Sequence, residues 1–446
     1  MRVVDFFCGA GGMSCGLYQA GMKPVAGFDI SEAALAVYAQ NLWVDHGRMG
    51  SISDFAKIVP QLLRLKPTLI AGGPPCQDFS AAGQRTEGER ADRTRDFAYA
   101  IALVQPEWFI FENVKEAPDS NSYRDARIVW KAHGYGLTEV QLDASHYGVP
   151  QRRRRFFCIG RKHEVDGFLE QDILAAASAR PMTLKDAFGD RVADAIYVYP
   201  RSLERRRLWE TSEPGPTVRS TYARGKPRHY KGHPKDATGE VTYLDRQMVA
   251  DIQGFPPEWD WSGQKAADVN LMIANAVPPP LARALGQVIM ARHDGKSVPP
   301  MAEGFPEYLA AQGLEDASVR NVVSRLKRAR NLLNGRDYAD IELAVREIEK
   351  APGFERLGTK QRSDLRSALR LYAEFTRKPD GPRESPRAMW TRVRMEKRTL
   401  SPAGYMARIR PSHLPHARKI TLDGGSGWRS ADIGHDDVAM REREDS

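Results

Sequence analysis

Between residue 1 and about residue 160, short apolar runs alternate with helical patterns, and few folds accept that rhythm. Val3–Phe7, Pro24–Asp29, Thr68–Ala71, Trp108–Glu112 and Arg155–Gly160 read as strands. Strands separated by helices predict an α/β fold built on a parallel sheet. At 446 residues the chain holds two or three domains of ordinary size. No stretch approaches the roughly 18 unbroken apolar residues of a membrane span. Met1 runs directly into the first strand without a basic leader, so a cytoplasmic address is expected. Cys8, Cys15, Cys76 and Cys158 form no CxxC pair, which argues against a disulfide framework or a zinc site and leaves catalysis as the use for a thiol. No metal is expected.

The texture changes along the chain. Residues 1–180 carry the strand and helix rhythm, and 246–300 return to it. Between them, 181–245 are rich in Pro, Gly, Arg and His, as in Glu213-Pro-Gly-Pro-Thr-Val-Arg219, and read as a small loop-rich inserted domain. Over 301–376, Val319, Val322, Val323, Leu326 and Leu333 recur at helical spacing, as do Leu365, Ala368, Leu369 and Tyr372, which predicts a separate helical module. Residues 377–446 lack periodicity and read as a basic, disordered tail. The net charge of +9 is unevenly placed: residues 201–236 carry +6 and 377–421 carry +9. Clustered cations are the footprint of a polyanion, most often nucleic acid, although a solubilising surface carries them equally well.

Asp5-Phe-Phe-Cys-Gly-Ala-Gly-Gly12 joins the first strand to a helix, and Asp29 closes the second strand 20 positions after Gly9. Glycines let the backbone approach a nucleotide, and the acid can accept from ribose hydroxyls. Ser14 stands where a dinucleotide fingerprint would place its third glycine. That favours an adenosine cofactor without a pyrophosphate, above all S-adenosylmethionine. Further on, Gly72-Gly-Pro-Pro-Cys-Gln-Asp-Phe-Ser80 places Cys76 in a proline-stiffened loop at the carboxyl edge of the sheet, making it the candidate nucleophile. Cys8, Cys15 and Cys158 read as packing residues. Glu112-Asn113 ends the next strand at the same edge, where a buried carboxyl can hold a proton; alone, it reads equally as an ordinary strand end. In Gln151-Arg-Arg-Arg-Arg155, alternation sends Arg153 and Arg155 to one face and Arg152 and Arg154 to the other.

In order and spacing, Asp5–Gly12, Gly73–Ser80, Glu112-Asn-Val114, Gln151–Arg155, Gln253-Gly-Phe-Pro256 and Asn275-Ala-Val-Pro278 resemble the blocks of the cytosine-5 DNA methyltransferases, bacterial restriction-modification type, over residues 1–292. The resemblance implies a Rossmann-like, S-adenosylmethionine-dependent domain that methylates C5 of a flipped cytosine through a covalent Cys76 adduct. Glu112 would bond the N3 and amine edge of the base, with Arg153 and Arg155 around its carbonyl. Phe7, Gly9, Gly11, Asp29, Ile30 and Asn275 match cofactor-contacting positions. Pro75, Gln77, Ser80, Asn113 and Gln151 fall in the substrate-contacting blocks. Residues 181–245 take the place of a target recognition domain, and Pro216-Thr-Val218 resembles its end. Arg219, Arg224, Lys226, Arg228 and Lys231 are its candidates for phosphate or guanine contacts.

Two positions depart from the family pattern. Ser51 stands where an acid usually meets the adenine amine, so either Asp54 substitutes or the adenine amine goes without an acid; Gln247 in Asp245-Arg-Gln247 replaces the usual Glu. The helical module, with Tyr308-Leu309 and Tyr372-Ala-Glu-Phe375, is similar to small DNA-associated bundles near recombinases and restriction proteins, and could equally dock a partner. The implied partners are double-stranded DNA and a cognate restriction endonuclease; one chain with one site needs no second copy, so a monomer associated with the nucleoid is expected. A tRNA cytosine-5 methyltransferase and a catalytically idle DNA-binding protein are the competing readings.

Overall fold

The computed structural model describes residues 1–42, 48–49, 52–75, 92–199, 205–222, 232–298 and 300–376. The tail from 377 onward, with Lys231 and Ser51, lies outside the described residues. Residues Met1–Arg377 form one compact unit.

The first part of that unit is a sheet of seven strands: β1 (Arg2–Phe6), β2 (Lys23–Asp29), β3 (Arg48–Met49), β4 (Leu69–Gly72), β5 (Trp108–Val114), β6 (Tyr135–Asp143) and, after the two-residue β7 (Gln151–Arg152), β8 (Arg154–Lys162). Their spatial order is β3-β2-β1-β4-β5-β8-β6. Five predicted strands form, within a residue or two of their expected limits. The expectation of a parallel sheet holds from β3 to β5 and fails beyond, because β8 runs antiparallel to both β5 and β6. The connection from β6 to β8 is too short for the dozen or so residues of a parallel crossover, so the chain reverses there.

The strands read as continuous apolar runs because both sheet faces are covered. Val3, Leu69, Ala71, Trp108 and Ile110 point to one side. They pack under α1 (Gly12–Gln19) and the later α10 (Pro279–His293). Val4, Phe6, Ile70, Phe109 and Phe111 point to the other side. There α3 (Phe55–Leu65), α4 (Asp92–Val104) and α5 (Asn121–Ala132) cover them, while α2 (Glu32–Leu42) follows β2. The Ser120 hydroxyl accepts from Tyr123 N and starts α5. Close approach demands glycine in α1: a Cβ on Gly16 would lie 2.2 Å from the Pro279 carbonyl oxygen.

After α6 (Glu170–Ala175), the inserted segment opens with α7 (Leu184–Phe188), whose Thr183 and Asp186 form a capping box. It then builds a small sheet from β9 (Ala195–Tyr197), β10 (Leu208–Glu210) and β12 (Val241–Tyr243), while β11 (Gly215–Pro216) pairs with β7. Its Leu184, Phe188, Ile196 and Val218 share one core with α8 (Arg246–Gln253) and α9 (Ala266–Asn275). The insert is therefore welded to the returning part of the first domain. Gln247 bonds Asp251 along α8 at 2.8 Å.

The helices α11 (Phe305–Ala311), α12 (Asp316–Leu332), α13 (Ile341–Lys350) and α14 (Thr359–Thr376) enclose a core of their own. Helices thus form where helical spacing was read, but they are tied to the sheet and belong to the same compact unit as it. Val165 N donates to Asp337 O, Ala339 N to His163 O, and Asp337 N to the Glu164 carboxylate at 2.7 Å. Arg292 and Arg161 also converge on the buried Glu164, at 2.9 and 3.3 Å. Arg336 reaches Glu107, just before β5, at 2.6 Å.

Candidate active site

The sheet order reverses direction at β1 and β4, and the crevice outside their carboxyl ends is where open α/β sheets bind ligands. A cavity of about 630 Å³ lies there. The turn after β1 forms its floor. Phe7 takes a left-handed φ of 56°, a conformation that a non-glycine residue holds only when its surroundings enforce it. Gly9 N donates to one Asp29 carboxylate oxygen and Ser31 N to the other, each at 2.9 Å. Asp29 thereby fixes the loop while its remaining lone pairs face the cavity. Ile30, 77% exposed, places an apolar side chain at the rim. Asn275 lines the same cavity from the end of α9.

Gly11 does not line it. Its α carbon faces Leu42, Tyr38 and Trp259 closely enough that a Cβ would come within 2.7 Å of Leu42, so this glycine serves packing rather than cofactor contact. The reading of Gly11 as cofactor-binding is corrected on that ground. Asp54 pairs with Lys57 at 2.8 Å at the start of α3, while Ile52 takes the cavity wall.

The far end of the cavity is polar. Glu112 is 9% exposed, and its carboxylate meets Arg155 Nε at 3.1 Å. Burial raises its pKa above the ordinary glutamate range, against the pull of Arg155 and Arg153. Arg153 is buried and donates to the Ala276 carbonyl at 3.0 Å, which ties it to the Asn275-Ala-Val-Pro278 block. The alternation read from sequence is present: Arg153 and Arg155 face the cavity, whereas Arg152 and Arg154 are exposed. Pro75 also lines the cavity, next to Gly73 and Pro74. A Cβ on Gly73 would stand 2.8 Å from Glu112 Oε2, so only glycine leaves that carboxylate its room. Cys76, Gln77 and Ser80, which follow directly, lie outside the described residues.

Three residues assigned to substrate have other partners. Gln151 is fully buried: its amide nitrogen donates to Ile252 O and Gln253 Oε1, at 3.1 and 2.6 Å, and its oxygen accepts from Val218 N at 3.0 Å. It is a strut between β7, α8 and the insert. Asn113 donates to Pro74 O at 3.2 Å and accepts from Val114 N, so it holds the loop that leads to Cys76. Arg219 donates to the Tyr199 carbonyl at 2.8 Å. Arg224, Lys226 and Arg228 lie outside the described residues.

Asp5 opens the glycine-turn motif, and sequence reasoning assigns it no role; it lines the cavity while 1% exposed. Burial, reinforced by the charge of Asp29 and opposed by a 2.7 Å bond from the Ser14 hydroxyl, pushes its pKa up to about 7. Leu271, half exposed on α9, is another unforeseen wall; an apolar residue off the buried face of its helix was the available signal.

One cavity with a nucleoside-fitting end and a carboxyl–arginine end can bring a nucleotide cofactor and a second substrate together, as a group-transfer enzyme on a Rossmann-like sheet requires. Residues 1–291 match the family of C-5 cytosine-specific DNA methylases, and the chain belongs to it as a DNA cytosine-5 methyltransferase. It is 40% identical over 300 residues to the Type II methyltransferase M.HgiDI of Herpetosiphon aurantiacus, spanning 65% of this chain and 94% of that one. To the Type II methyltransferase M.HindV of Haemophilus influenzae it is 36% identical over 300 residues, spanning 65% and 96%. The structure of the S. pombe Dnmt2 methyltransferase is 18% identical and covers 65% of this chain and 96% of its own, with a TM-score of 0.49. The helices α11–α14 lie beyond the family match.

Proposed function

We propose that the protein methylates C5 of a flipped cytosine within one short duplex site, through a transient Cys76 adduct, as the modification half of a restriction-modification system. The carrying observation is the buried Glu112–Arg155 pair facing the cavity, with Asn113 holding the loop that runs into Cys76. S-adenosylmethionine fits the glycine-turn end: the cavity has the size of a small-molecule site, Asp29 has acceptor capacity toward a ribose, and Ile30 and Ile52 offer apolar surfaces for a flat base. When bound, it supplies an electrophilic methyl group.

Cytosine C5 is a weak nucleophile. The Cys76 thiolate bonds to C6, which makes C5 enamine-like; C5 takes the methyl, loses its proton to a base, and the C6–S bond breaks to return the thiolate. Glu112, its carboxyl biased toward the protonated form by burial, donates to N3 and so neutralises charge that develops on the ring. Arg155 orients that carboxyl, and Arg153 anchors the site to the Ala276 carbonyl. Extrusion of the base costs a few kcal/mol. The insert, residues 181–245, serves as the target recognition domain and grips the duplex, its basic segment lying in 201–236. The Type II names of two relatives at 36–40% identity support a cognate endonuclease. A monomer acting at the nucleoid suits a cavity whose described lining comes from one chain.

The test is cytosine-methylation sequencing of DNA, with tRNA in parallel, from an unmethylated host expressing wild type or Cys76→Ala. Methylation at one short DNA motif is expected with wild type and none with the variant, which still binds DNA. A variant that methylates would overturn the nucleophile; marks on tRNA alone would overturn the substrate.

A further inference from the structure

We propose that the outer stripe of α12 is a second DNA-binding surface, which holds the phosphate backbone of duplex flanking the target site. Residues 317–331 contain no acid and five Arg or Lys residues. One stripe of this helix, Val319, Val322, Leu326 and Ala329, is buried in the module's core. The opposite stripe exposes Arg320, Asn321, Ser324, Lys327, Arg328 and Asn331, all of them hydrogen-bond donors, and Arg320 to Arg328 spans about 12 Å of helix.

The stripe gathers unpaired cations along one helix face. Off this stripe Arg325 pairs with Asp364, Arg330 with Asp337, Arg366 with Glu349 and Arg370 with Glu342, whereas Arg346, Arg356 and Lys360 are scattered cations without an ion pair among the described residues. Among the described residues, Arg320, Lys327 and Arg328 have no acid within ion-pair distance. Past Asp316, which starts the helix one turn before Arg320 on the same face, the stripe offers only donors, three of them with unpaired positive charge, and these complement a polyphosphate, the one polyanion on which this enzyme acts. The chain's own segment 377–421 carries +9 and does not complement the charge of this stripe.

The joint of the module to the sheet lies at the end of β5 away from the cavity. The module is joined to the sheet through Arg336 and Glu107, at the start of β5, whereas Glu112 lies five residues along the same strand, roughly 17 Å away. Contacts at α12 therefore add affinity for long DNA and leave the chemistry of the flipped base alone.

The experiment compares the full-length wild type with the triple variant Arg320→Gln, Lys327→Gln and Arg328→Gln on two substrates: a duplex barely longer than the target site and a plasmid that carries the site. All three side chains are exposed, so the variant should unfold at the wild-type temperature. The expected result is unchanged kcat and KM on the short duplex, KM on the plasmid raised at least about fivefold, and a salt slope for long-DNA binding reduced by about 0.9 for each phosphate no longer neutralised. The conservative variant Arg320→Lys with Arg328→Lys should restore the plasmid KM. Equal effects on both substrates, or no change in plasmid KM and salt slope, would overturn the proposal; the latter would leave the stripe to an acidic protein or to solvent. Inactivity of the wild type itself on both substrates would instead count against the methyltransferase reading.

Discussion

Glu112 lies at the meeting point of three constraints: it ends a buried strand, touches Arg155, and has room only because residue 73 lacks a side chain. Gly73→Ala should therefore push the carboxylate off Arg155 and cut kcat on the order of a hundredfold, the usual scale for a displaced acid, while thermal unfolding stays near wild type. Activity kept in a crystal structure with an undisturbed Glu112 would refute the crowding. Asp5 gives a pH prediction. Its acid form is held in the fold up to about pH 7, whereas in the unfolded chain it ionises near 3.8. The stability it contributes is full below about 3.8 and is lost as pH rises through 7. Asp5→Asn keeps an acceptor for Ser14 and should flatten the stability curve in that window, as denaturant unfolding at several pH values would show; parallel curves would mean that Asp5 is already ionised in the fold. At this scale residue types were legible, since Glu112, Arg153, Arg155 and Asp29 all face the cavity. Partners were not. Gln151 and Asn113 sit in the right blocks yet spend their amides on backbone and neighbouring side chains, because a buried amide must satisfy both ends and the groups that do so come from α8, the insert and the loop after β4.

Among the elements, the helices α1 and α10 pack closely on each other. Gly12 and Gly16 face the backbone of 277–279, where a Cβ would lie 2.4 Å from the Val277 oxygen and 2.2 Å from the Pro279 oxygen. Backbone cannot yield as a side-chain tip can, so Gly16→Ala should destabilise the fold by about 1–3 kcal/mol, measured as a lower urea midpoint with an unchanged slope. A neutral result would show that the two helices can slide apart. The same contact explains why residues 246–300 return to the first domain after the insert: α10 completes the helical layer over β1, β4 and β5. Two strands of the sheet were missed from sequence, β3 and β6, and both are edge strands; the longer, β6, is the last in the sheet. Its exposed Glu139 and Gln141 break the apolar run that marked the central strands. Its partner β8 was found from its buried centre, but the direction of pairing depends on the length of the connection rather than on composition.

In the molecule as a whole, the helical module and the sheet form one unit, held by a charge cluster rather than by a shared apolar core. Glu164 is its centre, fully buried between Arg292 and Arg161 and accepting from Asp337 N. Glu164→Gln leaves two buried guanidinium groups without their counter-charge and should lower stability by about 3–5 kcal/mol, visible in thermal unfolding and in earlier protease cleavage between the module and the sheet. Methylation of a short duplex at low temperature should persist, since Glu164 is remote from the cavity; its loss would show that the module shapes the site. By itself the sequence determined the α/β class, the glycine turn, and the placing of Asp29, Glu112 and the Arg153–Arg155 pair at one edge, because local spacing and strand period dictate which residues reach the carboxyl edge. Only the tertiary structure decided the reversal at β8, the Gln151 strut, the room beside Gly73 and the joint at Glu164. Each of these depends on atoms brought together from distant parts of the chain, and no local pattern encodes that proximity.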